Sequence, residues 1–136
     1  MVYDKTKIRV AKKPTISKLK KELSKLVKDF IKKRDNHTCQ YCGKKVEGNN
    51  CHASHIIPVS HGNVLSFDPL NMKVLCYHHH INWWHKNPMK SAEWFKQKFP
   101  ERWEYLQNNK NKIVKWKIND YKEMIKKAIE DADKIQ

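Results

Sequence analysis

The sequence predicts a small, mostly helical α+β domain, and three observations support this prediction. Apolar residues recur at helical spacing between Ile16 and Ile31. From residue 36 to residue 76, turn residues, cysteines and histidines replace that period, which is typical of short strands and loops. Helical patterns then return and continue toward the C-terminus. At 136 residues the chain is long enough for one domain with a modest core.

The first predicted helix begins near Thr15 or Ser17 and ends near Arg34. Its apolar stripe predicts that it docks on the domain core. A dimerising coiled coil is the alternative, although the stripe is short for one. Residues 1–14 are rich in lysine, and their apolar residues do not recur at a regular spacing, so we interpret them as a flexible basic arm. Such an arm either contacts phosphates or only aids solubility.

The best strand candidate covers residues 51–59. Asn49-Asn50 before it and residues 60–63 after it have the composition of turns. The helical period returns over residues 76–86 and stops at Asn87-Pro88. The sequence therefore predicts a strand, a turn and then a helix in the central part of the chain.

Two prolines predict the starts of further helices. Asn87 is expected to cap a helix with Pro88 in its first turn, and Pro100 starts another that runs to about residue 108. The last helix is expected to open near residues 119–120, with Glu123 completing a capping box. Its expected buried face consists of Tyr121, Ile125, Ala128 and Ala132.

The charge predicts polyanionic partners. The chain has 29 Lys plus Arg against 14 Asp plus Glu, a formal net charge of +15, which favours DNA, RNA or an anionic membrane surface. No apolar run is long enough to span a bilayer, and the basic N-terminus lacks the apolar stretch of a signal peptide. We therefore expect a cytoplasmic protein (host-cell cytoplasm if phage-encoded), monomeric or homodimeric, with no membrane partner.

Four cysteines in a reducing compartment favour metal ligands over disulfides. Cys39 and Cys42 form a knuckle with Gly43, and Cys76 and His79 repeat the same spacing. Three sulfurs and one nitrogen complete the tetrahedron of one structural Zn²⁺. Two unrelated reduced pairs are the alternative, and His78 competes with His79 as the fourth ligand. Cys51 on the predicted strand is expected to be a small buried residue.

A set of histidines lies in a fixed order around these pairs. Between the pairs stand Cys51-His52-Ala53-Ser54-His55-Ile56-Ile57-Pro58, then Gly62, and then Phe67-Asp68-Pro69-Leu70-Asn71. His80 follows the second pair directly. This order, over about residues 39–87, resembles the HNH (His-Me finger) nuclease family. The resemblance implies a ββα-metal core in which a strand histidine, a loop asparagine and a helix histidine surround one metal ion.

Phosphodiester hydrolysis needs a base to deprotonate water and a cation to stabilise charge on the phosphorane and the leaving oxygen. Histidine titrates near neutrality and suits the first role, which we assign to His55. The resemblance implies that Asn71, as the second catalytic residue, holds the other ring nitrogen of His55. We assign His80 as a ligand of a hydrated divalent ion, Mg²⁺ or Mn²⁺, with other divalent ions as alternatives.

One residue departs from the family pattern. Many members have an Asp or His metal ligand directly before the base histidine, whereas this chain has Ser54. His85 and Asn82 are ranked first as replacement ligands because they share the helix with His80. His52, His61 and a water held by Ser54 are further candidates. The weaker ligand set leaves a second hypothesis open: a catalytically inactive, zinc-stabilised module that binds nucleic acid.

Within the HNH family, the segment around His55 together with Phe67, Asn71 and Cys76 resembles the phage Rap/NinG recombination nucleases. In that group, too, a small residue precedes the base histidine. The resemblance implies cleavage of branched or junction DNA, and the runners-up are phage HNH nickases linked to DNA packaging, homing-type endonucleases and restriction-like enzymes. We divide the single domain into a basic arm (1–14), an amphipathic helix (15–35), a zinc-stabilised HNH core (36–87) and a C-terminal helical extension (88–136).

Duplex or branched DNA is the expected partner. Lysines of the first helix would supply salt-sensitive affinity for phosphates, and we place Lys32, Lys33 and Arg34 on the DNA. Most of the five tryptophans are expected in the core, although Trp83 or Trp84 could stack on an unpaired base, and we place Trp84 on the DNA. A third hypothesis, a protein-interaction adaptor that uses the amphipathic first helix, predicts no salt-dependent DNA affinity.

Overall fold

The computed structural model describes residues 14–60 and 62–135, so nearly all of the predicted basic arm and His61 lie outside the described residues. The described part is mostly helical with one small sheet, which confirms the α+β prediction. Short 3₁₀ turns cover Gly48–Asn50 and Pro69–Asn71. The elements are α1 (Ile16–Arg34), β1 (His52–His55), β2 (Met72–Leu75), a π-helix (His78–Trp84), α2 (Pro88–Lys98), α3 (Pro100–Asn109) and α4 (Ile118–Lys134).

Helix α1 is the long element that packs on both α4 and the sheet. Thr15 caps it, since its hydroxyl oxygen accepts a hydrogen bond from the Lys18 amide at 3.2 Å. One apolar stripe turns inward, which confirms the predicted bounds and the docked helix. The buried residues of that stripe are Leu19, Leu23, Val27 and Ile31.

The sheet consists of β1 and β2 in antiparallel pairing, with Ser54 opposite Lys73 and His55 opposite Met72. Strand β1 is shorter than predicted, because the chain turns after His55 and the Ile56 amide donates to the Asn71 carbonyl. The sequence analysis assigned no range to β2. All four of its residues are buried, so the strand has none of the alternation that reveals a half-exposed strand.

The C-terminal helices begin as predicted at Pro88 and Pro100, because proline fits the first turn of a helix. Helix α4 starts slightly earlier than expected, at Ile118. Its capping residue was predicted wrongly: the Lys117 amide donates to the carboxylate of Asp120, not of Glu123. Tyr121 and Ile125 are buried as predicted, while Ala128 and Ala132 are half-buried. Among the described residues, no helix combines the length and apolar character needed to cross a bilayer.

Candidate functional site

The predicted zinc ligands come together in the structure. One ligand atom from each of Cys39, Cys42, Cys76 and His79 lies within 4.8 Å of the others, so the group could hold one metal ion. The His79 Nδ1 lies 3.1 Å from the Cys76 Sγ and 3.9 Å from the Cys39 Sγ. Three thiols and one imidazole fit a structural Zn²⁺. Cys51 is buried and outside this group, as expected.

The knuckle around Cys39 is shaped by its backbone. The Gly43 amide donates to the Cys39 carbonyl at 2.8 Å, and the Cys39 amide donates to the Lys44 carbonyl at 2.8 Å. Gly43 has φ +77°, a left-handed conformation that glycine adopts without strain. The Gln40 amide donates to the Val74 carbonyl at 3.0 Å, which ties the knuckle to β2.

The protonation of two members suits metal binding. Burial would raise the pKa of the Cys39 thiol, but backbone hydrogen bonds from Cys42, Cys76 and Tyr41 outweigh it and lower the pKa. Burial, and then the neighbouring His78, lowers the pKa of His79. Both pKa shifts are toward the forms that bind zinc, a thiolate at Cys39 and a neutral imidazole at His79.

Aromatic rings cover the knuckle. The Tyr41 ring lies 4.8 Å from the His79 ring and 3.9 Å from the Trp83 ring, centroid to centroid. Trp83 also packs against Trp94. These rings shield the cysteine-histidine group from one side and give Trp83 a structural role in the core.

A cleft of about 770 Å³ lies beside the sheet. It is lined by α1, β1 and the loop after it, the π-helix, α2 and α3. Both histidines predicted to act in catalysis, His55 and His80, line it, together with Ser54 and His85. Lys28 is the residue of α1 that lines the cleft. The two predicted imidazoles thus lie at one surface.

His55 is the last residue of β1, and its ring is oriented by a backbone carbonyl. The His55 Nε2 lies 3.0 Å from the Ser66 carbonyl oxygen. Because a carbonyl only accepts, Nε2 carries the proton and Nδ1 becomes the proton acceptor of the ring. The expected contact between Asn71 and this ring is not made, since Ser66 takes that place.

Asn71 instead clamps the loop that follows β1. Its side chain is fully buried; Oδ1 accepts from the Ile57 amide, and Nδ2 donates to the carbonyls of Ile57 and Leu65. Leu65 precedes Ser66, the residue that orients His55. Asn71 is therefore a positioning residue that acts on His55 through the backbone.

Two arginines hold the 3₁₀ turn that carries Asn71. Arg34 donates to the carbonyls of Pro69 and Met72 at 2.7 and 2.6 Å, and Arg102 donates to those of Leu70 and Met72, each at 2.9 Å. Burial, and then the nearby Arg34, lowers the pKa of Arg102 to about 10. This turn is fixed from both α1 and α3.

His80 lies between two other histidines. Its Nδ1 is 2.8 Å from the Nδ1 of His52, and its Nε2 is 3.0 Å from the Nε2 of His85. The second contact depends on the π-helix, in which the His85 amide bonds to the His80 carbonyl and residues five apart share a face. Burial, and then His85, His52, Lys73 and His55, lowers the pKa of His80 to about 4.

Asn82, ranked with His85 as a substitute ligand, lies elsewhere. It is exposed, and its Nδ2 is 3.5 Å from the Nδ1 of His78. It does not line the cleft, because side chains two residues apart on a helix lie on nearly opposite faces. Ser54 does line the cleft but is buried, and its hydroxyl donates to the His55 carbonyl at 3.3 Å.

Comparison with known families adds a second line of observation. The family model described as the bacteriophage lambda NinG protein matches residues 3–136. The chain belongs to the NinG family. No curated protein and no solved structure matched the chain. The predicted resemblance to this phage group is therefore confirmed at the level of the family.

In this NinG-family chain, two predicted DNA contacts point into the protein. Arg34 follows the buried stripe of α1 by one helical turn, so its guanidinium reaches interior carbonyls and Asp35. Trp84 is only 8% exposed, and the Lys73 ammonium covers one face of its ring at 3.1 Å from the centroid. Lys33 is exposed and Lys32 half-buried.

Sequence reasoning missed three residues at the site of this NinG-family chain. Ser66 contributes only a backbone carbonyl, which has no residue-type signal. Lys73 is fully buried on β2, and its Nζ has no hydrogen-bond partner among the described residues. Lys28 was one of many lysines of α1, and only the tertiary structure brings it to the cleft.

Proposed function

We propose that this NinG-family chain is a divalent-metal-dependent endonuclease that hydrolyses DNA phosphodiester bonds, either as a nickase or on branched DNA of the kind that phage recombination produces. The proposed site is of the HNH type, with β1, β2 and the π-helix as its ββα-metal core. One observation carries the proposal: His55 and His80 line the same cleft, and Ser66 leaves the Nδ1 of His55 as a proton acceptor.

His55 is the proposed general base. Its Nδ1 takes a proton from water while the water oxygen forms a bond to phosphorus. The bond from phosphorus to the 3′-oxygen breaks, and that oxygen takes a proton from solvent. The Ser66 carbonyl supports this step because it stabilises the imidazolium that forms at His55.

His80 and His85 are the proposed holders of the catalytic ion. Their Nε2 atoms lie 3.0 Å apart at the cleft that both residues line, and the lowered pKa of His80 keeps its ring neutral near pH 7. His52 contacts the Nδ1 of His80 on the other edge of that ring, so it orients the ring and does not share the ion. When bound, a divalent ion would stabilise charge on the phosphate and on the leaving oxygen. Imidazole suits Ni²⁺, Co²⁺ or Zn²⁺ better than Mg²⁺, which prefers oxygen ligands. We therefore expect a later transition ion to bind more tightly than Mg²⁺ or Mn²⁺.

Zinc at the cysteine-histidine group has a structural role in this proposal. His79 is one of its ligands, and His80 is the next residue in the chain. A zinc-bound His79 would fix the start of the π-helix and with it the direction of His80. Zinc would thereby help to position His80, a proposed ligand of the catalytic ion.

A second candidate function has an observation in its favour. The described lining of the cleft contains no carboxylate, Ser54 stands where many HNH enzymes have a ligand, and Lys73, whose Nζ has no hydrogen-bond partner among the described residues, lies opposite Ser54 on β2. These features disfavour a bound dication. They support an inactive, zinc-stabilised module that binds nucleic acid through its net charge of +15.

A cleavage panel distinguishes the two functions. Zinc-loaded protein is incubated with supercoiled plasmid, linear duplex, flap, fork and four-way junction DNA, each with Mg²⁺, Mn²⁺, Co²⁺ or Ni²⁺. The nuclease proposal expects ion-dependent cuts in at least one substrate. Binding of all substrates with no cut under any ion would select the inactive module.

A further inference from the structure

Four lysines of α1 form a row that passes beside the cleft at Lys28. They are Lys21, Lys25, Lys28 and Lys32, and we call them the lysine row. We propose that the lysine row binds the phosphate backbone of the DNA strand that enters the cleft. This inference rests on the proposed function, because it takes DNA as the substrate of that cleft.

The spacing of the row aligns its members on one side of α1. Successive lysines are four, three and four residues apart, and an α-helix with 3.6 residues per turn places such residues one above the other. The row covers about 17 Å at 1.5 Å per residue. Backbone phosphates of one strand follow one another every 3.4 Å along a duplex, so the row can face about five of them.

The orientation of the row is fixed by the buried face of α1. Leu23, Val27 and Ile31 pack against α4 and the sheet, which prevents the helix from rotating about its axis. Lys28 lines the cleft together with His55 and His80. Since the row is continuous with Lys28, a strand bound along it leads into the cleft.

The charges of the row are free to bind an external anion. Lys21, Lys25 and Lys28 are exposed, and Lys32 is half-buried. The ion pairs among the described residues are Arg34–Asp35 and Lys127–Asp131, so they include no lysine of the row. The acidic residues of α1 are Glu22 and Asp29, and Asp29 borders the row because it lies four residues after Lys25 and three before Lys32. Neither acid forms an ion pair with a row lysine among the described residues.

A matched pair of double variants tests the row. Lys25→Gln/Lys28→Gln removes two charges from the row, whereas Lys20→Gln/Lys122→Gln removes two exposed lysines that lie off it, one on α1 and one on α4. Both are made in zinc-loaded His55→Ala protein without added divalent ion, so that no DNA is cut. The Kd for a linear duplex is measured at several NaCl concentrations, and the melting temperature of each variant shows that it is folded.

The inference expects a smaller salt dependence for the row variant only. The slope of log Kd against log salt should fall by about 0.9 for each lost phosphate contact, hence by about 2 for the row pair. The control pair should change the slope far less. Equal changes in the two variants would overturn the inference, because a diffuse positive charge would explain them.

Two further outcomes separate this inference from the nuclease proposal. If the row variant alone loses salt dependence but the unmutated protein cuts no DNA, the row stands as a binding surface and the nuclease proposal fails. If the protein cuts DNA while both variants bind alike, the nuclease proposal stands and the row is refuted.

Vesicles of anionic phospholipid test whether the row prefers DNA to another polyanionic surface. Binding to them that depends on the row as strongly as DNA binding does would also overturn the inference.

Discussion

At His55, a hydrogen bond to a backbone carbonyl determines which ring nitrogen can accept a proton. The Ser66 carbonyl requires a proton on Nε2, and this leaves Nδ1 to accept one. Ser66 is held in turn because the Asn71 side chain bonds to the Leu65 carbonyl next to it. The proposed base His55, its orienting carbonyl and the Asn71 side chain therefore form a chain of three groups, of which only the first and the last could be named from the sequence.

Replacing Asn71 by Ala should lower both stability and turnover. The change leaves the Ile57 amide and the Leu65 carbonyl buried without a partner, which costs about 2 kcal/mol of unfolding free energy. We expect kcat to fall while KM stays near its original value, because Asn71 positions the base and does not touch the substrate. Urea denaturation and initial rates check this. Asn82→Ala, at an exposed position, is the control, and an Asn71 variant with unchanged kcat would refute the positioning role.

Replacing the buried Lys73 by an apolar residue should raise the free energy of unfolding. Burial, and then Arg102, lowers its pKa well below the usual 10.5, and its Nζ has no hydrogen-bond partner among the described residues. The cation–π contact with Trp84 offsets only part of this cost. We expect Lys73→Met to raise the free energy of unfolding by about 1 kcal/mol at pH 7.

The gain from Lys73→Met should depend on pH. The unfolded lysine keeps its proton up to about 10.5, while the folded lysine releases it at lower pH. Wild-type stability therefore rises with pH between these two values, and the advantage of methionine shrinks there. Denaturation at several pH values compares the variant with Lys86→Met, an exposed control. A loss of stability at neutral pH in Lys73→Met would contradict the prediction.

At the scale of elements, the features predicted correctly from the sequence are those determined by residues next to them in the chain. Prolines start α2 and α3, and Thr15 caps α1, because each acts on the backbone beside it. The early end of β1 and the position of β2 depend on Asn71 and on burial from both faces, which are tertiary effects. The π-helix was predicted as an ordinary helix, since the periodic apolar pattern does not distinguish the two.

Zinc bound at the cysteine-histidine group should stabilise the fold around the sheet. Cys39→Ala removes one of four ligands, and metal binding is linked to folding. We expect loss of bound zinc and a lower melting temperature, whereas Cys51→Ala should keep the zinc because Cys51 is buried outside the group. Metal analysis and thermal melts of both variants test this. Full zinc content in Cys39→Ala would show that the group is not the metal site.

The whole molecule brings together residues far apart in the sequence. The order of cysteines, histidines and asparagine was enough to predict that Cys39, Cys42, Cys76 and His79 come together and that His55 and His80 line one cleft. It could not predict that Lys28 of α1 reaches the same cleft, because this depends on how α1 docks on the sheet. Nor could it predict that Arg34 turns inward, since neighbouring lysines of the same helix remain outside.

Nicking of supercoiled plasmid by His55→Ala tests the central claim most directly. With zinc in the knuckle and the ion that best supports cleavage, we expect the variant to cut about 10² to 10⁴ times more slowly than the unmutated protein. Its Kd for DNA should stay the same, and His78→Ala, at an exposed histidine outside the cleft, should cut normally. If His55→Ala nicks plasmid at the original rate, His55 is not the base and the proposed site is wrong.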